Sequence, residues 1–337
     1  MNDIKLSIIV PTYNRAALLE YLLASITKDF VQWPSDLELV VIDNSSTDGT
    51  SAVVSKFTDL SFPIKYFVNN KNIGMDGNLA ACFNHALGKY FWQIGDDEIM
   101  YRGTVQYVLE FCRTKEFGLL HLSCKGFHNG QQAKVSSRKK PETITVDKLN
   151  SKEIFRRANV FLTFISANVI NRDALLARLP AFDANAELNT SLPQLAWIYS
   201  VLKFFDSHYY IDTPLFGALA GNTGGYKLIK VFGFNLNNIT RKYLEDVIPN
   251  SERIMSNAVL TAVIPGGLMS QSGNWKLANK YEHENTLLAA EACFKDYAYF
   301  DIFIRPMLSD SKRKRRLAFF FVRVMNRLNR KLRYCFL

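Results

Sequence analysis

The feature that most constrains the fold is a repeated pairing of short apolar runs with polar breaks marked by glycine or proline, each break leading into a segment of helical period. Residues 5–10 form a β-branched run stopped by Pro11, and residues 15–27 then carry Leu18, Leu19, Leu22, Leu23 and Ile26 at helical spacing. Residues 37–42 make a second strand of the buried type. It runs into Asp43-Asn44-Ser45-Ser46-Thr47-Asp48-Gly49-Thr50, loop chemistry that ends in a helix start. A third strand over 64–68, a helix over 75–87 and a fourth strand over 89–94 follow, and the last stops abruptly at Gly95-Asp96-Asp97-Glu98. This alternation predicts an α/β domain with a mostly parallel central sheet. The polar clusters then fall at the carboxyl ends of strands, the edge where open α/β sheets bind ligands.

Further along, the pattern predicts a helix over 104–112 and a strand over 118–123. Residues 129–142, rich in Lys, Gln and Ser, read as an exposed, mobile loop. An apolar, β-leaning run covers 161–170, and a helix over 192–205 is opened by Pro193. Two strands are expected at 208–211 and 215–219. After the glycine-rich residues 221–225, which suit either a mobile flap or a plain linker, the pattern turns helical to about residue 304. The expected organisation is an α/β domain over 1–220, a helical region over 221–310 and a basic tail over 311–337.

Composition narrows the class. With 48% hydrophobic and 21% charged residues, the chain can bury a core and is not expected to be disordered. No stretch reaches the ~20 apolar residues that span a bilayer. The opening residues Met1-Asn2-Asp3-Ile4-Lys5 pass straight into a strand pattern without the regions of an export signal, so a cytoplasmic location is expected. The five cysteines are scattered and form no CxxC pair, which argues against a zinc site or a disulfide framework. The net charge of +10 is entirely a property of the tail: ten of the 41 basic residues lie in 311–337 with no acid among them, and the remaining 31 match the 31 acids.

Four elements, in order and each at a strand end or helix start, resemble the family-two glycosyltransferases of bacteria. They are Ser7-Ile8-Ile9-Val10-Pro11-Thr12-Tyr13-Asn14-Arg15, then Val40-Val41-Ile42-Asp43 with its Asp-rich turn, then Asn72-Ile73-Gly74 with Asn78, and finally Gly95-Asp96-Asp97-Glu98. The likeness covers roughly the first 125 residues and thins afterwards. It implies a GT-A fold, with a nucleotide-binding part at about 1–125 and an acceptor part at about 126–220. Taken singly, the Asp43 turn could be an ordinary capped turn and the acidic tetrapeptide a solvated loop.

The resemblance also implies site roles. Asp43 would accept from the imide of a uracil or thymine base, with Pro11, Thr12, Tyr13 and Arg15 in the adjoining base and phosphate pocket. Asn72, Gly74 and Asn78 would complete the nucleotide site, and Asp96 would adjoin it. Asp97, with Glu98 or alternatively Asp96, would hold a divalent metal, Mg2+ or Mn2+, cations that favour oxygen ligands. The donor would be a UDP-, dTDP- or CDP-linked sugar, and the acceptor a saccharide, either free or carried on a polyprenyl lipid.

Two departures from the family pattern stand out. Gly95 occupies the place of the usual first Asp, a replacement shared with a subgroup similar to the abequosyltransferases of O-antigen assembly. Ser191-Leu192-Pro193-Gln194 and Asp212-Thr213-Pro214-Leu215 are similar to the same subgroup. The expected Glu-Asp catalytic pair is also missing. In 182–191 the available acids are Asp183, which suits a turn cap, and Glu187 as the candidate base for an inverting reaction. His208 reads better as structural than as a ligand.

In the tail, Phe321, Val324, Leu328 and Leu332 fall on one helical face behind the cluster Lys312-Arg313-Lys314-Arg315-Arg316. A basic amphipathic helix of this kind suits an anionic membrane surface, here the inner face of the cytoplasmic membrane, and no nucleic-acid partner is expected. A sugar-nucleotide pyrophosphorylase and a non-catalytic membrane scaffold are the rival readings. The first lacks its expected Gly-rich loop after the opening strand.

Overall fold

The computed structural model describes residues 3–60, 62–220, 227–265, 286–309, 311, 313–314, 316–322 and 324. The chain divides into two compact units, Met1–Asn222 and Thr223–Leu337.

The first unit is built on one nine-stranded sheet. Strand β1 (Leu6–Thr12) lies between β2 (Leu37–Asp43) and β4 (Tyr90–Gln93), with β3 (Ile64–Val68) beyond β2, all four parallel. The sheet continues in the order β8 (Asn168–Asn171), β6 (Leu119–Phe127), β9 (His208–Leu219) and β5 (Ile99–Met100), with β7 (Val146–Leu149) also on β9. Among the pairings of this half only β6 with β9 is parallel. The sheet is therefore mixed, with its parallel half carrying the motifs. Central strands covered on both faces need apolar residues at consecutive positions, which is why Leu6, Ile8, Ile9 and Val10 are all fully buried.

Helix α1 (Ala16–Thr27) buries Leu19, Leu22, Leu23 and Ile26, the face its spacing predicts. Its first turn takes no cap from its own N-cap residue, Arg15. Instead Asp48, in the turn after β2, accepts from the Ala16 amide at 3.0 Å. The other Asp48 oxygen accepts from the amide of Thr50 at the start of α2 (Thr50–Asp59). One carboxylate thus opens two helices and ties the turns after β1 and β2 together. Helix α3 (Gly74–His85) begins at Gly74, whose φ of +78° favours glycine.

Several expectations need correction. Residues 129–142 are not wholly loop: Gln132–Ser136 forms a short helix, Val135 is buried, and Lys28 donates from Nζ to the Ser136 carbonyl at 2.7 Å. The 161–170 run is mostly tight 3-10 turns, Asn159–Thr163 and Ile165–Ala167, with a strand only from Asn168. The two strands expected over 208–219 are a single long β9, with a register shift opposite Leu122 and Cys124 of β6.

The second unit is helical where described. It includes helices at Leu236–Leu244, Ser251–Ala258 and Thr286–Phe294, and π-helical segments at Lys230–Asn235, Val259–Val263 and Phe300–Ile304. Residues 316–322 are helical, with Ala318 and Val322 buried and Leu317, Phe320 and Phe321 exposed. No described helix is long and apolar enough to cross a membrane. The glycine-rich loop at 221–225 lies outside the described residues, as do Leu328 and Leu332 of the tail.

Candidate nucleotide-sugar site

The parallel pairing brings the ends of β1, β2 and β4 level. Thr12 lies opposite Asp43 in the β1–β2 register, and the Ile94 amide, just past β4, donates to the Ile9 carbonyl of β1. Thr12 then links the two motifs directly: its Oγ1 donates to Asp96 Oδ2 at 2.8 Å. Arg15, at the entry to α1, donates from Nη1 to Asp96 Oδ1 at 2.9 Å and reaches Asp97 Oδ2 at 3.4 Å. Pro11 is only partly buried, Thr12 after it is buried, and Tyr13 stands 41% exposed at the lip of the same edge.

Asp43 is 2% exposed, and both its carboxylate oxygens are held. Oδ1 accepts from the Ser46 amide at 2.9 Å, and Oδ2 accepts from the Tyr66 hydroxyl at 2.5 Å. Burial, followed by the hydrogen bond to Asp43, pushes the Tyr66 phenol above its ordinary pKa, so it stays a donor. Next to it, Asn44 organises the third motif. Its Nδ2 donates to Asn72 Oδ1 at 2.9 Å and to the Gly74 carbonyl at 3.1 Å, while its Oδ1 accepts from Asn69 and from the Ile73 amide. Asn78 is 3% exposed, accepts from Asn69 at 2.9 Å and donates to the Ile42 carbonyl at 3.2 Å. Of the residues expected to meet the nucleotide, Asn78 is thus committed to holding the end of β2. Asn72 and Gly74 remain at the exposed turn.

The acidic tetrapeptide is not a solvated loop. Asp96 and Glu98 are 4% and 3% exposed. Burial raises the Asp96 pKa to about 6 against the opposing charge of Arg15. Burial, then the neighbouring charge of Asp97, raises that of Glu98 well above the usual carboxylate range. Ser166 Oγ accepts from the Gly95 amide at 3.0 Å and donates to Glu98 Oε1 at 3.4 Å. Glu98 Oε2 is buried with no hydrogen-bond partner. The absence of a side chain at position 95 has a local reason too: a Cβ there would lie 3.0 Å from Asp97 Oδ1, so the glycine makes room for that carboxylate.

This donor set suits a hard divalent cation in kind, since it offers carboxylate oxygens, one of them buried and unmatched. It does not match a finished site. Among the described residues no three Asp, Glu, His or Cys side chains converge in a metal-holding group. Asp96 is turned instead toward Thr12 and Arg15. Arg15 touches both Asp96 and Asp97, and Glu98 keeps a buried carboxylate oxygen without a partner.

On the acceptor side, Asp183 is exposed, and its Oδ1 accepts from both the backbone and the side chain of Asn185, the turn-closing use its position also allowed. Glu187 is 7% exposed. Sequence reasoning missed Asp76, in the first turn of α3. Its Oδ2 accepts from the Ser191 amide at 2.9 Å, and the Asn189 and Thr190 amides also point to the carboxylate. Asn189 and Ser191 have φ of 65° and 63°, so two left-handed residues shape this cradle around Asp76. Ser166 and Tyr66 were missed as well; a lone Ser in an apolar run was the one available hint. His208 is buried and structural: its Nδ1 accepts from the Leu119 amide at 3.1 Å.

The chain is similar to several known glycosyltransferases. Abequosyltransferase RfbV of Salmonella typhimurium is 38% identical over 96 residues, 28% of either chain. A GalNAc(5)-diNAcBac-PP-undecaprenol beta-1,3-glucosyltransferase of Campylobacter jejuni is 37% identical over 108 residues, 32% of this chain and 34% of that protein. The chain thus matches only about a third of these relatives' length or less. The crystal structure of S. aureus TarS 1-349 with UDP-GlcNAc superposes with a TM-score of 0.58 at 17% identity, over 97% of this chain and 92% of that one. A mannosyltransferase from Pyrobaculum calidifontis, PcManGT, solved with GDP-Man and Mn2+, gives 0.52 at 17%, over 96% and 86%. These likenesses establish the GT-A fold. The model of glycosyl transferase family 2 matches residues 7–175, half of the chain, and the chain belongs to that family.

Proposed function

We propose that the protein transfers a monosaccharide from a nucleoside-diphosphate sugar to a saccharide acceptor in the synthesis of a surface polysaccharide. The observation that carries this reading is the gathering of Thr12, Arg15, Asp43 and the 96–98 acids at one sheet edge, linked through the Thr12–Asp96 hydrogen bond. The sugar nucleotides named with TarS and PcManGT, and the undecaprenol-linked saccharide in the name of the Campylobacter relative, support the substrate class.

Asp43, fixed by Ser46 and Tyr66, keeps lone pairs for a base imide, which favours UDP, dTDP or, through the amino group of its base, CDP. Tyr13 gives an exposed ring at the pocket lip for the nucleoside, and Arg15 supplies a guanidinium for the diphosphate. Asp97 with Glu98 would hold Mg2+ or Mn2+, which neutralises charge on the departing diphosphate. Glu187 is assigned as the base that takes the acceptor hydroxyl proton, so that the oxygen attacks from the face opposite the leaving group with inversion. Asp183, spent on its turn, is set aside.

The exposed Leu317, Phe320 and Phe321, beside Arg313, Lys314 and Arg316, suit an anionic bilayer at the cytoplasmic face. A polyprenyl-linked acceptor would be met there. The test is direct: the purified chain with a panel of UDP-, dTDP-, CDP- and GDP-sugars and Mn2+ should release nucleoside diphosphate from one donor. Release from none, together with pyrophosphate-dependent formation of a nucleoside triphosphate, would overturn the assignment. NMR of the product anomer decides between inversion and retention.

A further inference from the structure

Arg15 is a cationic partner of the acidic cluster, and it stands where a metal would have to work. Its Nη1 lies 2.9 Å from Asp96 Oδ1 and 3.4 Å from Asp97 Oδ2. The two carboxylates are nearly closed to solvent, at 6% and 13% side-chain exposure, whereas the Arg15 side chain is 37% exposed. Buried carboxylates without a counter-charge are costly, so a resident guanidinium stabilises the empty cluster. The same positive charge repels an arriving divalent ion and occupies an oxygen of Asp97 that the ion would need. Beside them Glu98 Oε2 is buried and unmatched.

Resting on the donor-site reading above, we infer that Arg15 is a built-in counter-cation that yields the acidic cluster to the metal only when a nucleoside diphosphate draws it off. A diphosphate offers the guanidinium a better partner than a shared carboxylate edge, since the planar fork binds phosphate oxygens in a bidentate manner. Arg15 then moves from Asp97 to the phosphates, and Asp97 and Glu98 become available to the ion as the charge of Arg15 is neutralised. Metal and nucleotide binding are therefore positively coupled. The coupling is reciprocal, so the metal tightens the nucleotide by the factor that the nucleotide tightens the metal.

The test uses the full chain and Mn2+ as probe, with free Mn2+ read by its EPR signal and a protein-free blank correcting for Mn2+ held by nucleotide in solution. Titrations are run without nucleotide and with saturating UDP, dTDP, CDP or GDP, on wild type and Arg15→Gln. In wild type, Mn2+ alone should bind weakly, and the preferred nucleotide should tighten it at least tenfold. In Arg15→Gln, Mn2+ alone should bind several-fold more tightly than in wild type, and the enhancement by nucleotide should shrink. Equal or weaker binding of Mn2+ alone by Arg15→Gln overturns the inference. The wild-type arm needs no variant: Mn2+ that binds equally well with and without a bound nucleotide overturns it too. A protein that binds no nucleotide contradicts the donor-site reading itself, and the metal-alone comparison still decides the role of Arg15.

Discussion

Thr12 Oγ1 donates to Asp96 Oδ2 at 2.8 Å, joining residues 84 positions apart at the ends of adjacent parallel strands. Through this bond the turn that follows β1 and the acidic turn that follows β4 form one surface. Thr12 is 3% exposed and Asp96 4%, so the pair is an internal fastener rather than a solvent contact. Thr12→Val keeps the shape and removes the donor. The loss of a hydrogen bond to a buried charged group should cost about 1–3 kcal/mol. Urea unfolding measures this, and a variant as stable as wild type would show that the bond contributes nothing.

Glu98 should weaken the free protein near neutral pH. Burial raises its pKa in the folded state, so between the unfolded carboxylate range and that raised value the folded protein holds more protons than the unfolded chain. By linkage, stability falls as pH rises through this window. Asp96, raised to about 6, adds to the same trend between roughly pH 4 and 6. Glu98→Gln should therefore raise Tm by several degrees at pH 7 and by much less at pH 4.5, while weakening Mn2+ binding. Thermal unfolding across pH checks this, and a variant less stable than wild type at pH 7 contradicts it.

Asp76 should govern the order of the 189–191 segment. Its carboxylate collects three consecutive amides, two of them from residues in left-handed conformations. With Asp76→Ala, hydrogen exchange at 189–191 should accelerate by at least tenfold, while nucleotide affinity stays within about twofold, because the Asp43 and Arg15 contacts do not involve it. Unchanged exchange at these amides would show that the cradle holds its form without the carboxylate.

Phe320 and Phe321 expose 62% and 53% of their surface, and their rings lie 5.9 Å apart. Replacing both with Ser should reduce binding to vesicles containing phosphatidylglycerol by about tenfold or more, since each buried aromatic contributes ~1.5–3 kcal/mol. Binding to neutral vesicles should be weak for both proteins. Vesicle co-sedimentation makes the comparison, and equal binding of the variant to anionic vesicles would exclude this face.

Three of the four motifs were legible in sequence because each sits where a buried parallel strand stops, and a mostly apolar run followed by a polar break is hard to mistake. Positions 12, 43 and 95–98 needed no tertiary information. The partners of those residues did. Tyr66 and Ser166 reach the site across strands and carry no local signal, and Asp76 looks like any first-turn acid of a helix. Residues 161–170 misled because an apolar run of that length fits a strand and a pair of tight turns equally well. The division of labour among the acids was also invisible, for only the fold reveals that Asp96 faces Thr12 and Arg15 while Glu98 keeps an unmatched oxygen.

The central claim is that one sheet edge binds a nucleoside diphosphate together with a divalent ion. Isothermal titration of UDP, dTDP, CDP and GDP, each with and without Mn2+, tests it most directly on wild type and Asp97→Ala. One of these nucleotides should bind clearly more tightly with Mn2+, and Asp97→Ala should abolish the metal-dependent gain. Binding of none of them, or a gain that survives in Asp97→Ala, would contradict it.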